Sequence, residues 1–392
     1  MLFQVLDNKK ECYAVYCEEE IHRYFNGLDL THTWAYTPHF PDKEIEYAQI
    51  WAKGRDLSSA CPQHLKDEYE QVSAKARAFL TSFKHGKVSL DDVCFYDLVP
   101  RKFLLEFCKI KNKITNFIFE HEKKPKNYSF LAEMSALLEK ISKQDLNLQM
   151  SNLDFLNPDA RKGFAKIKNV EKRIKYNLWG TATGRLSTLP DSFPILTLNK
   201  DLRGVLHPQN DLFVELDYNS AEIRTLLALN GANQPKTDIH DWIRVNVFDS
   251  KISRDETKKK TFAWLYNPKA TNKRLSSFID KDALLKKHYV DGEVHTPFGR
   301  TIEVGEEKAL NYLIQSTTSD MFLRSVLKLD KLLSDRKTQI AFLVHDSVVL
   351  DVHKEDQEIL KEVFKVFSDT SLGGFKANLS IGKNFGNLKR IK

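Results

Sequence analysis

The sequence predicts an α+β fold, because strand-like alternation and helical periodicity occupy separate segments of the chain. In residues 213–217, the polar side chains Glu215 and Asp217 alternate with Val214 and Leu216, as in a strand with one buried face. Residues 339–352 (QIAFLVHDSVVLDV) contain two apolar strands that meet at a polar corner. The longest helical pattern covers residues 306–334. With 392 residues, of which 42% are hydrophobic, the chain is long enough for two or three domains or one large enzyme.

The amino-acid composition indicates what class of partner the chain binds and in which cellular compartment we expect it. The net charge of +7 favours an anionic partner, although the excess is small for this length. Five cysteines lie in the first third without CxxC spacing, so we expect reduced thiols and neither disulfides nor a zinc site. No apolar run approaches the ~20 residues of a membrane span, and the N-terminus becomes charged too early for a secretory signal. We therefore expect a cytoplasmic protein that does not contact a membrane.

The first 180 residues begin with strands and continue with helices. Two apparent strands (LFQVLD and YAVYC) precede a proline-containing loop, and helical periodicity follows over residues 64–83. Residues 96–178 are mostly helical and basic in pattern. Six of their lysines are grouped, at positions Lys109, Lys111, Lys113, Lys123, Lys124 and Lys126. This lysine face could follow a nucleic-acid backbone or simply be solvated, and the pattern does not decide between the two.

The remaining elements alternate turns, strands and helices. Residues 181–204 are rich in turn residues, and a strand ending at Asp217 is followed by a helix that stops at a glycine. Residues 235–300 are charged and helical, and His345, Asp346 and Ser347 form the corner between the last two apolar strands.

One predicted helix carries a chemically distinctive face. In RDETKKKTFAWLY, residues Arg254, Lys258, Phe262 and Tyr266 recur every fourth position and therefore share one side of a helix. Two cations suit a polyphosphate, and an aromatic ring suits stacking on a base, so this face could bind a nucleoside triphosphate. A solvated basic helix with a half-buried aromatic stripe explains the same pattern about equally well.

Two aspartates lie where strands end. Asp217 precedes a helix and Asp346 lies at a strand turn. If neighbouring strands bring them together, they repel each other unless cations lie between them, and two Mg²⁺ ions would satisfy both and clamp a displacement at phosphorus. Alternatively, Asp217 caps its helix and Asp346 serves the turn.

Taken together, these segments resemble the polymerase module of family A DNA polymerases, the polymerase I-like enzymes. DYNSAEIR resembles the first palm motif, RDETKKKTFAWLY the nucleotide-binding fingers helix, and VHDSVVLDV the last palm motif. TATGRLS, DIH, PFGR and NYLIQSTTSD resemble supporting segments in the expected order. The resemblance covers roughly residues 96–392, and several motifs in the correct order are much more specific than any one of them.

The resemblance implies a right-hand polymerase fold with an antiparallel palm sheet, helical fingers and a helical thumb, preceded by a small α/β segment. It assigns 1–95 to an N-terminal segment, 96–180 to the thumb, 181–234 to the first part of the palm, 235–299 to the fingers and 300–392 to the second part of the palm. The short fingers are typical of phage or other viral members. We accordingly expect a monomer, in the host cytoplasm if it is phage-encoded.

The resemblance also implies a role for each site residue in template-directed DNA synthesis with two Mg²⁺ ions and dNTP substrates. Asp217, Asp346 and the backbone carbonyl of Tyr218 would be metal ligands. Arg254, Lys258 and His240 would neutralise the triphosphate, with Lys258 also protonating the leaving pyrophosphate. Phe262 would pack on the sugar and base, Tyr266 would lie near the templating position, and Glu222 would exclude ribonucleotides. The residues that would contact primer–template DNA are Arg185, Arg300, Asn311, Gln315 and His345.

The pattern departs from the family at several positions. Ser347 replaces the glutamate that usually follows His-Asp in this family. The order His-Asp-Ser resembles that of single-subunit RNA polymerases, but those enzymes lack both an acid at the Glu222 position and the TGRLS segment. Ala263 and Asn267 replace glycines usual in the fingers helix, and SFPILTLN carries no recognisable primer-binding residue.

Residues 1–95 offer no convincing acid pair for a 3′–5′ exonuclease, since Asp42 and Glu44 lie in a loop-like run after a proline. We therefore predict no proofreading by this chain, and interpret the segment as a vestigial exonuclease-like domain or a platform for a separate exonuclease or processivity factor. Two other classes remain as alternatives: an inactive nucleic-acid-binding relative, and a Mg²⁺-dependent nuclease or phosphatase. The latter would need neither the Arg254–Tyr266 face nor the TGRLS segment.

Overall fold

The structure, a computed structural model, describes residues 1–8, 11–88, 90, 93–150, 162–164, 167–168, 170–267 and 270–391. The chain divides into two compact units, residues 1–136 and 137–392. The predicted boundary at 95/96 does not coincide with this division, and the assignment of residues 96–180 to a thumb stays a prediction. The parts of that prediction that fall on residues 151–161, 165–166 and 169 lie outside the described residues.

The elements of the described residues follow in chain order. The α-helices are α1 (Ala48–Trp51), α2 (Leu57–Ala60), α3 (Lys66–His85), α4 (Phe95–Leu98), α5 (Arg101–His121), α6 (Tyr128–Ser142), α7 (Ala221–Leu229), α8 (Ile239–Asn246), α9 (Arg254–Tyr266), α10 (Lys273–Phe278), α11 (Lys281–His288), α12 (Glu306–Leu332) and α13 (Leu360–Ser368). Short 3₁₀ helices cover Gln63–Leu65, Ile195–Thr197, Lys200–Val205 and Lys354–Ile359.

The strands of the described residues are β1 (Phe3–Asn8), β2 (Glu11–Cys17), β3 (Glu20–His22), β4 (His32–Thr33), β5 (Glu46–Tyr47), β6 (Asn147–Leu148), β7 (Tyr176–Asn177), β8 (Ser187–Thr188), β9 (Leu206–His207), β10 (Leu212–Tyr218), β11 (Tyr289–Val290), β12 (Glu293–His295), β13 (Thr301–Glu303), β14 (Gln339–Val344), β15 (Ser347–Val352), β16 (Asp369–Thr370), β17 (Gly373–Gly374), β18 (Ala377–Gly382) and β19 (Lys389–Arg390). The chain is therefore α+β, as the sequence predicts.

The first unit contains an antiparallel meander, β1-β2-β3, and the paired helices α3 and α5. Both predicted strands form, and the helix predicted over residues 64–83 runs from Lys66 to His85. Acidic residues in the first turn of α3 and basic residues in its last turn complement the helix dipole. Phe103, Ile110 and Ile114 of α5 anchor the core between these helices.

The second unit is organised around a five-stranded antiparallel sheet with the order β14-β15-β10-β18-β19. The predicted strand pair is β14–β15, with its turn at His345 and Asp346. Strands β18 and β19 are not evident from the sequence, because ANLSIG has only one buried residue and no strong alternation. Strand β10 lies in the middle of the sheet, so the residues at its end are held on both sides.

Over residues 214–218, the alternation in β10 separates an apolar face from an acidic one. Val214, Leu216 and Tyr218 are buried, and the Tyr218 ring stacks on Phe367 of α13 at 4.2 Å between centroids. The opposite face presents Glu215 and Asp217, both half-buried. The helices that cover one side of the sheet thus leave the carboxylates on the other.

Helices α7 to α11 pack around a separate apolar core. It includes Ile223, Ile239, Trp264 and Leu265, with Ile314 of α12 closing one side. Ser253 caps α9 by accepting a hydrogen bond from the Glu256 backbone at 3.1 Å. Strands β11 and β12 interrupt the region 235–300 that the sequence predicts as helical, and β12 pairs with β13 just beyond it.

Two further findings concern long helices. The predicted helix at residues 306–334 is observed as α12, 27 residues long, with most of its central turns buried. Over the described ranges, we find no helix with the length and apolar character needed to cross a membrane.

Candidate active site

A cavity of about 190 Å³ in the second unit brings together residues from five sequence motifs. Its lining residues are Arg185, Ser220, Ala221, Glu222, Phe262, Thr318, Ser319, Phe322, His345 and Asp346. Five of these were predicted site residues, and they come from segments up to 161 positions apart, as for Arg185 and Asp346. The tertiary structure therefore joins motifs whose proximity the sequence could not establish.

Asp217 and Asp346 lie side by side at one end of the sheet. In the antiparallel pair of β10 and β15, Asp217 is opposite Ser347, which directly follows Asp346. On its other side Asp217 is opposite Asn378 of β18, whose side-chain Nδ2 donates to Asp217 Oδ2 at 3.2 Å. His345, in the turn, has φ of 56°, a left-handed conformation that non-glycine residues adopt at a cost.

Both carboxylates have a raised pKa. Burial and the negative charge of Asp346 raise the pKa of Asp217 from 3.8 to about 7, and the Asn378 hydrogen bond only partly opposes this. Burial also raises the pKa of Asp346, and Arg185 and His345 partly oppose that rise. The site thus concentrates negative charge that lacks full compensation.

These residues fit a site for hard divalent cations that also uses substrate oxygens. Within the described part of the chain, no three histidine, cysteine, aspartate or glutamate side chains are grouped so that they could hold a metal ion by themselves. Mg²⁺ commonly binds through one or two carboxylates together with substrate phosphates and waters. Two adjacent carboxylates with raised pKa values match that requirement, since a cation would relieve their repulsion.

Glu222 and Arg185 form an ion pair at the wall of the cavity. Burial raises the pKa of Glu222, although Arg185 opposes the rise. The loop that carries Arg185 is fixed locally: Thr181 Oγ1 donates to the Arg185 carbonyl at 2.8 Å, and Ser319 Oγ of α12 donates to the Gly184 carbonyl at 2.9 Å. The TATGR turn is therefore attached to the long helix.

Arg300 lies behind the same turn. Its Nε and Nη2 donate to the two carboxylate oxygens of Asp320 at 3.1 and 2.7 Å, and the side chains are 12% and 0% exposed. Gly184 has φ of 75°, and a Cβ there would lie 2.5 Å from the Arg300 guanidinium. Only glycine fits between the turn and this buried pair.

On α9, the predicted face forms, but Arg254 is not free. Its Nε and Nη2 donate to Asp238 at 3.1 and 2.7 Å. Burial alone would raise the pKa of Asp238, but hydrogen bonds from Arg254 and Asn219 outweigh it and hold that pKa well below its usual range. Lys258 is exposed one turn further along the helix.

The aromatic residues of this face stack on each other. The rings of Phe262 and Tyr266 lie 5.8 Å apart at an interplanar angle of 2°, and Phe262 is also 5.8 Å from the His240 ring. His240 is 1% exposed, and its Nε2 lies 2.9 Å from Ser220 Oγ. Burial, with Arg254 and Lys258, lowers the pKa of His240, so the imidazole is neutral near pH 7 in this state.

The other predicted DNA-binding residues lie along α12 and at the sheet turn. Asn311 and Gln315 are half-buried. They lie on the same side of α12 as Ser319 of the cavity wall, because the three residues follow one another at intervals of four. Asn311 Nδ2 is 3.5 Å from the Tyr266 carbonyl, which connects α12 with the end of α9. His345 is exposed, whereas Tyr218 is buried with its hydroxyl donating to the Phe367 carbonyl at 2.7 Å.

Sequence reasoning missed three residues of this region. Asn378 lies on a strand without a clear signal, and Phe322 would pass for an ordinary core residue of α12. Asp238 had a detectable signal, because an aspartate immediately before a helix is a common N-cap. Its contact with Arg254, 16 residues later, could not be inferred from that signal.

Comparison with known proteins finds DNA polymerases among the similar sequences. No protein-family model matches the chain. It is 24% identical over 239 residues to the DNA polymerase I of Caldicellulosiruptor bescii, covering 47% of this chain and 28% of that protein. It is 24% identical over 292 residues to the DNA polymerase of Bacillus phage SP01, covering 54% and 31%. The chain is a relative of the family A DNA polymerases.

This family A relative aligns with less than half the length of the curated relatives named here. Among solved structures, the POL domain of Pol1 from M. smegmatis in complex with a DNA primer-template and dNTP matches 71% of this chain and 54% of that one, with a TM-score of 0.47 and 15% identity.

Proposed function

We propose that this family A relative is a template-directed DNA polymerase that adds dNTPs to a primer 3′ end by nucleotidyl transfer with two Mg²⁺ ions. The observation that carries the proposal is the cavity in which Asp346, Glu222, Arg185 and Phe262 meet, beside Asp217. A nuclease or phosphatase would use the carboxylates, but would not need a basic and aromatic helix face at the same cavity.

In the proposed reaction, the primer 3′-oxygen attacks the α-phosphorus of the dNTP, the new P–O bond forms, and the bond to pyrophosphate breaks. Bound Mg²⁺ ions would lower the pKa of the attacking hydroxyl and neutralise charge on the phosphates. Asp217 and Asp346 would hold them, together with the backbone carbonyl of Tyr218. Lys258, exposed on α9, would donate a proton to the leaving pyrophosphate.

The nucleotide would lie against α9. Arg254 and Lys258 would bind the triphosphate, and the Phe262 ring would pack on the sugar and base, with Tyr266 next to the templating position. His240 is neutral and buried here, so it would act as a neutral hydrogen-bond donor. The family resemblance predicts a positive charge on His240, whereas its burial supports the neutral role more strongly.

Glu222 would select the sugar. Its carboxylate is held at the cavity wall by Arg185, so a ribose 2′-hydroxyl would meet a fixed and partly desolvated group. Arg185, Asn311, Gln315 and His345 would contact the primer–template. Arg300 would support the turn that carries Arg185, because two of its donor groups are already bound to Asp320.

Primer extension tests this function directly. We would supply a recessed, 5′-labelled duplex, Mg²⁺ and either dNTPs or rNTPs, and compare the wild type with Asp217→Asn and Asp346→Asn. Asp335→Asn, an exposed carboxylate of the same unit, is the matched control. Extension with dNTPs alone, lost in the first two variants and retained in the control, is the expected result.

Other outcomes point to the alternatives. Equal or better extension with rNTPs would favour an RNA polymerase, consistent with Ser347 after Asp346. No extension with either substrate despite tight duplex binding would favour an inactive nucleic-acid-binding relative. Shortening of the labelled strand would contradict the prediction that this chain lacks proofreading.

A further inference from the structure

Asp238 connects three elements around the proposed nucleotide site. As the N-cap of α8, its Oδ1 accepts hydrogen bonds from the backbone N–H groups of His240 and Asp241 at 3.0 and 3.1 Å. Its Oδ2 accepts from Asn219 Nδ2 at 2.9 Å, and Asn219 lies two residues after Asp217. The carboxylate is therefore fixed to the catalytic strand end as well as to α8.

Asn219 is itself fully engaged, which makes this attachment stiff. Its Oδ1 accepts from the Ile239 backbone at 2.9 Å and from Arg224 Nη2 at 3.1 Å, and its backbone N–H donates to the Lys376 carbonyl at 2.9 Å. Arg224 is completely buried and also donates to three backbone carbonyls, those of Asn219, Pro235 and Thr237. Asp238 thus rests on a network with little freedom to shift.

Arg254 depends on this carboxylate for its orientation. Its side chain is 43% exposed, so packing does not fix it, whereas the two parallel hydrogen bonds to Asp238 fix the plane of the guanidinium. The pair uses two of the five N–H donors of an arginine and leaves three, including both on Nη1. Nη1 is 3.8 Å from Asp255, beyond hydrogen-bond distance.

We propose that Asp238 is a positioning residue that orients Arg254 in advance for the triphosphate, through a bidentate pair that persists when the nucleotide binds. This inference rests on the function proposed above. A guanidinium that is already oriented loses less side-chain freedom on binding phosphate than a mobile one. The negative charge of Asp238 is balanced by Arg254 and the N-terminus of α8, so it opposes phosphate binding only weakly.

The test is a double-mutant cycle with Asp238→Asn and Arg254→Lys. Asparagine caps a helix as well as aspartate does, so α8 should remain intact while the charged, bidentate acceptor is lost. Lysine at 254 keeps the positive charge but cannot form the fork-shaped pair. Asp255→Asn is the matched control, because Asp255 is an exposed carboxylate beside the same guanidinium without a hydrogen bond to it.

For each variant we would measure the Kd of the matching dNTP with Mg²⁺ on a primer terminated without a 3′-hydroxyl, and KM and kcat on a normal primer. We expect Asp238→Asn to raise Kd and KM about tenfold, the equivalent of losing the orientation of one arginine side chain, with kcat changed less than about twofold. In the Arg254→Lys background, Asp238→Asn should have almost no further effect. Asp255→Asn should match the wild type.

The outcomes separate this inference from the proposed function. A wild type that neither binds dNTP on the terminated duplex nor extends a primer would overturn both. A wild type that binds, with Asp238→Asn binding equally or more tightly, would overturn the positioning role alone. If Asp238→Asn raised Kd equally in the wild-type and the Arg254→Lys backgrounds, the positioning role would also be overturned, because the effect would then come from α8 and not from Arg254. Thermal unfolding of each variant checks that the fold persists.

Discussion

Replacing Asp217 by asparagine should abolish primer extension and at the same time stabilise the folded chain above pH 7. The ionised carboxylate is costly in the folded state, because burial and Asp346 raise the pKa of Asp217 from 3.8 to about 7. A rise of roughly three pKa units corresponds to about 4 kcal/mol. The partial exposure of the Asp217 side chain reduces the expected gain in the free energy of unfolding to about 2 kcal/mol.

The direction of this stability difference follows from the linkage between protonation and folding. Below about pH 4, Asp217 is protonated in both folded and unfolded states, so wild type and variant should be equally stable. As the pH rises from 4 to 7, the unfolded chain ionises freely while the folded chain resists, and the wild type loses stability that the neutral asparagine keeps. Above pH 7, where the folded carboxyl also ionises, the difference should be constant.

Urea unfolding in metal-free buffer at pH 5, 7 and 8.5, followed by circular dichroism, measures this difference. Asp335→Asn, at an exposed position of the same unit, should stay within about 0.5 kcal/mol of the wild type at every pH. Adding Mg²⁺ should stabilise the wild type more than Asp217→Asn if the carboxylate holds a cation. A variant that is no more stable than the wild type at pH 8.5 would refute the argument that the ionised Asp217 carboxylate destabilises the folded state.

Three further predictions concern the cavity wall and the turn behind it. Glu222→Ala should increase incorporation of rNTPs relative to dNTPs by about tenfold or more, since it removes the fixed group at the sugar; an unchanged ratio of kcat/KM values would exclude Glu222 as the sugar filter. Arg300→Ala should destabilise the chain by about 3 to 5 kcal/mol in urea unfolding, because Asp320 would be left buried and unpaired. The double variant Arg300→Ala/Asp320→Ala should recover part of that loss. Gly184→Ala should lower the unfolding midpoint and weaken duplex binding in a fluorescence anisotropy titration, because a Cβ at this position would lie 2.5 Å from the Arg300 guanidinium. Wild-type behaviour in both assays would show that the turn can shift without cost.

The local patterns of the sequence predict much of the second unit. Helix α9 begins at Arg254 and ends at Tyr266, the limits of the face that the four-residue spacing predicts, and a serine cap and acidic first-turn residues stabilise its start. Strand β10 and the β14–β15 pair form where apolar alternation and a polar corner predict them. Strand β18 was not predicted, because half-buried residues in a short run leave no periodic signal.

The sequence by itself determined which residue types occur in which local elements: two aspartates at strand ends, a basic and aromatic helix face, and a glycine-containing turn before Arg185. Those features depend on spacing along a single element, so they can be recognised without a fold. Only the tertiary structure decided which of them meet. It set Asp217 beside Asp346, bound Arg185 to Glu222, and engaged Arg254 with Asp238 and Arg300 with Asp320. Those pairings depend on strand order and helix packing, which join residues far apart in the chain and leave no trace in local periodicity.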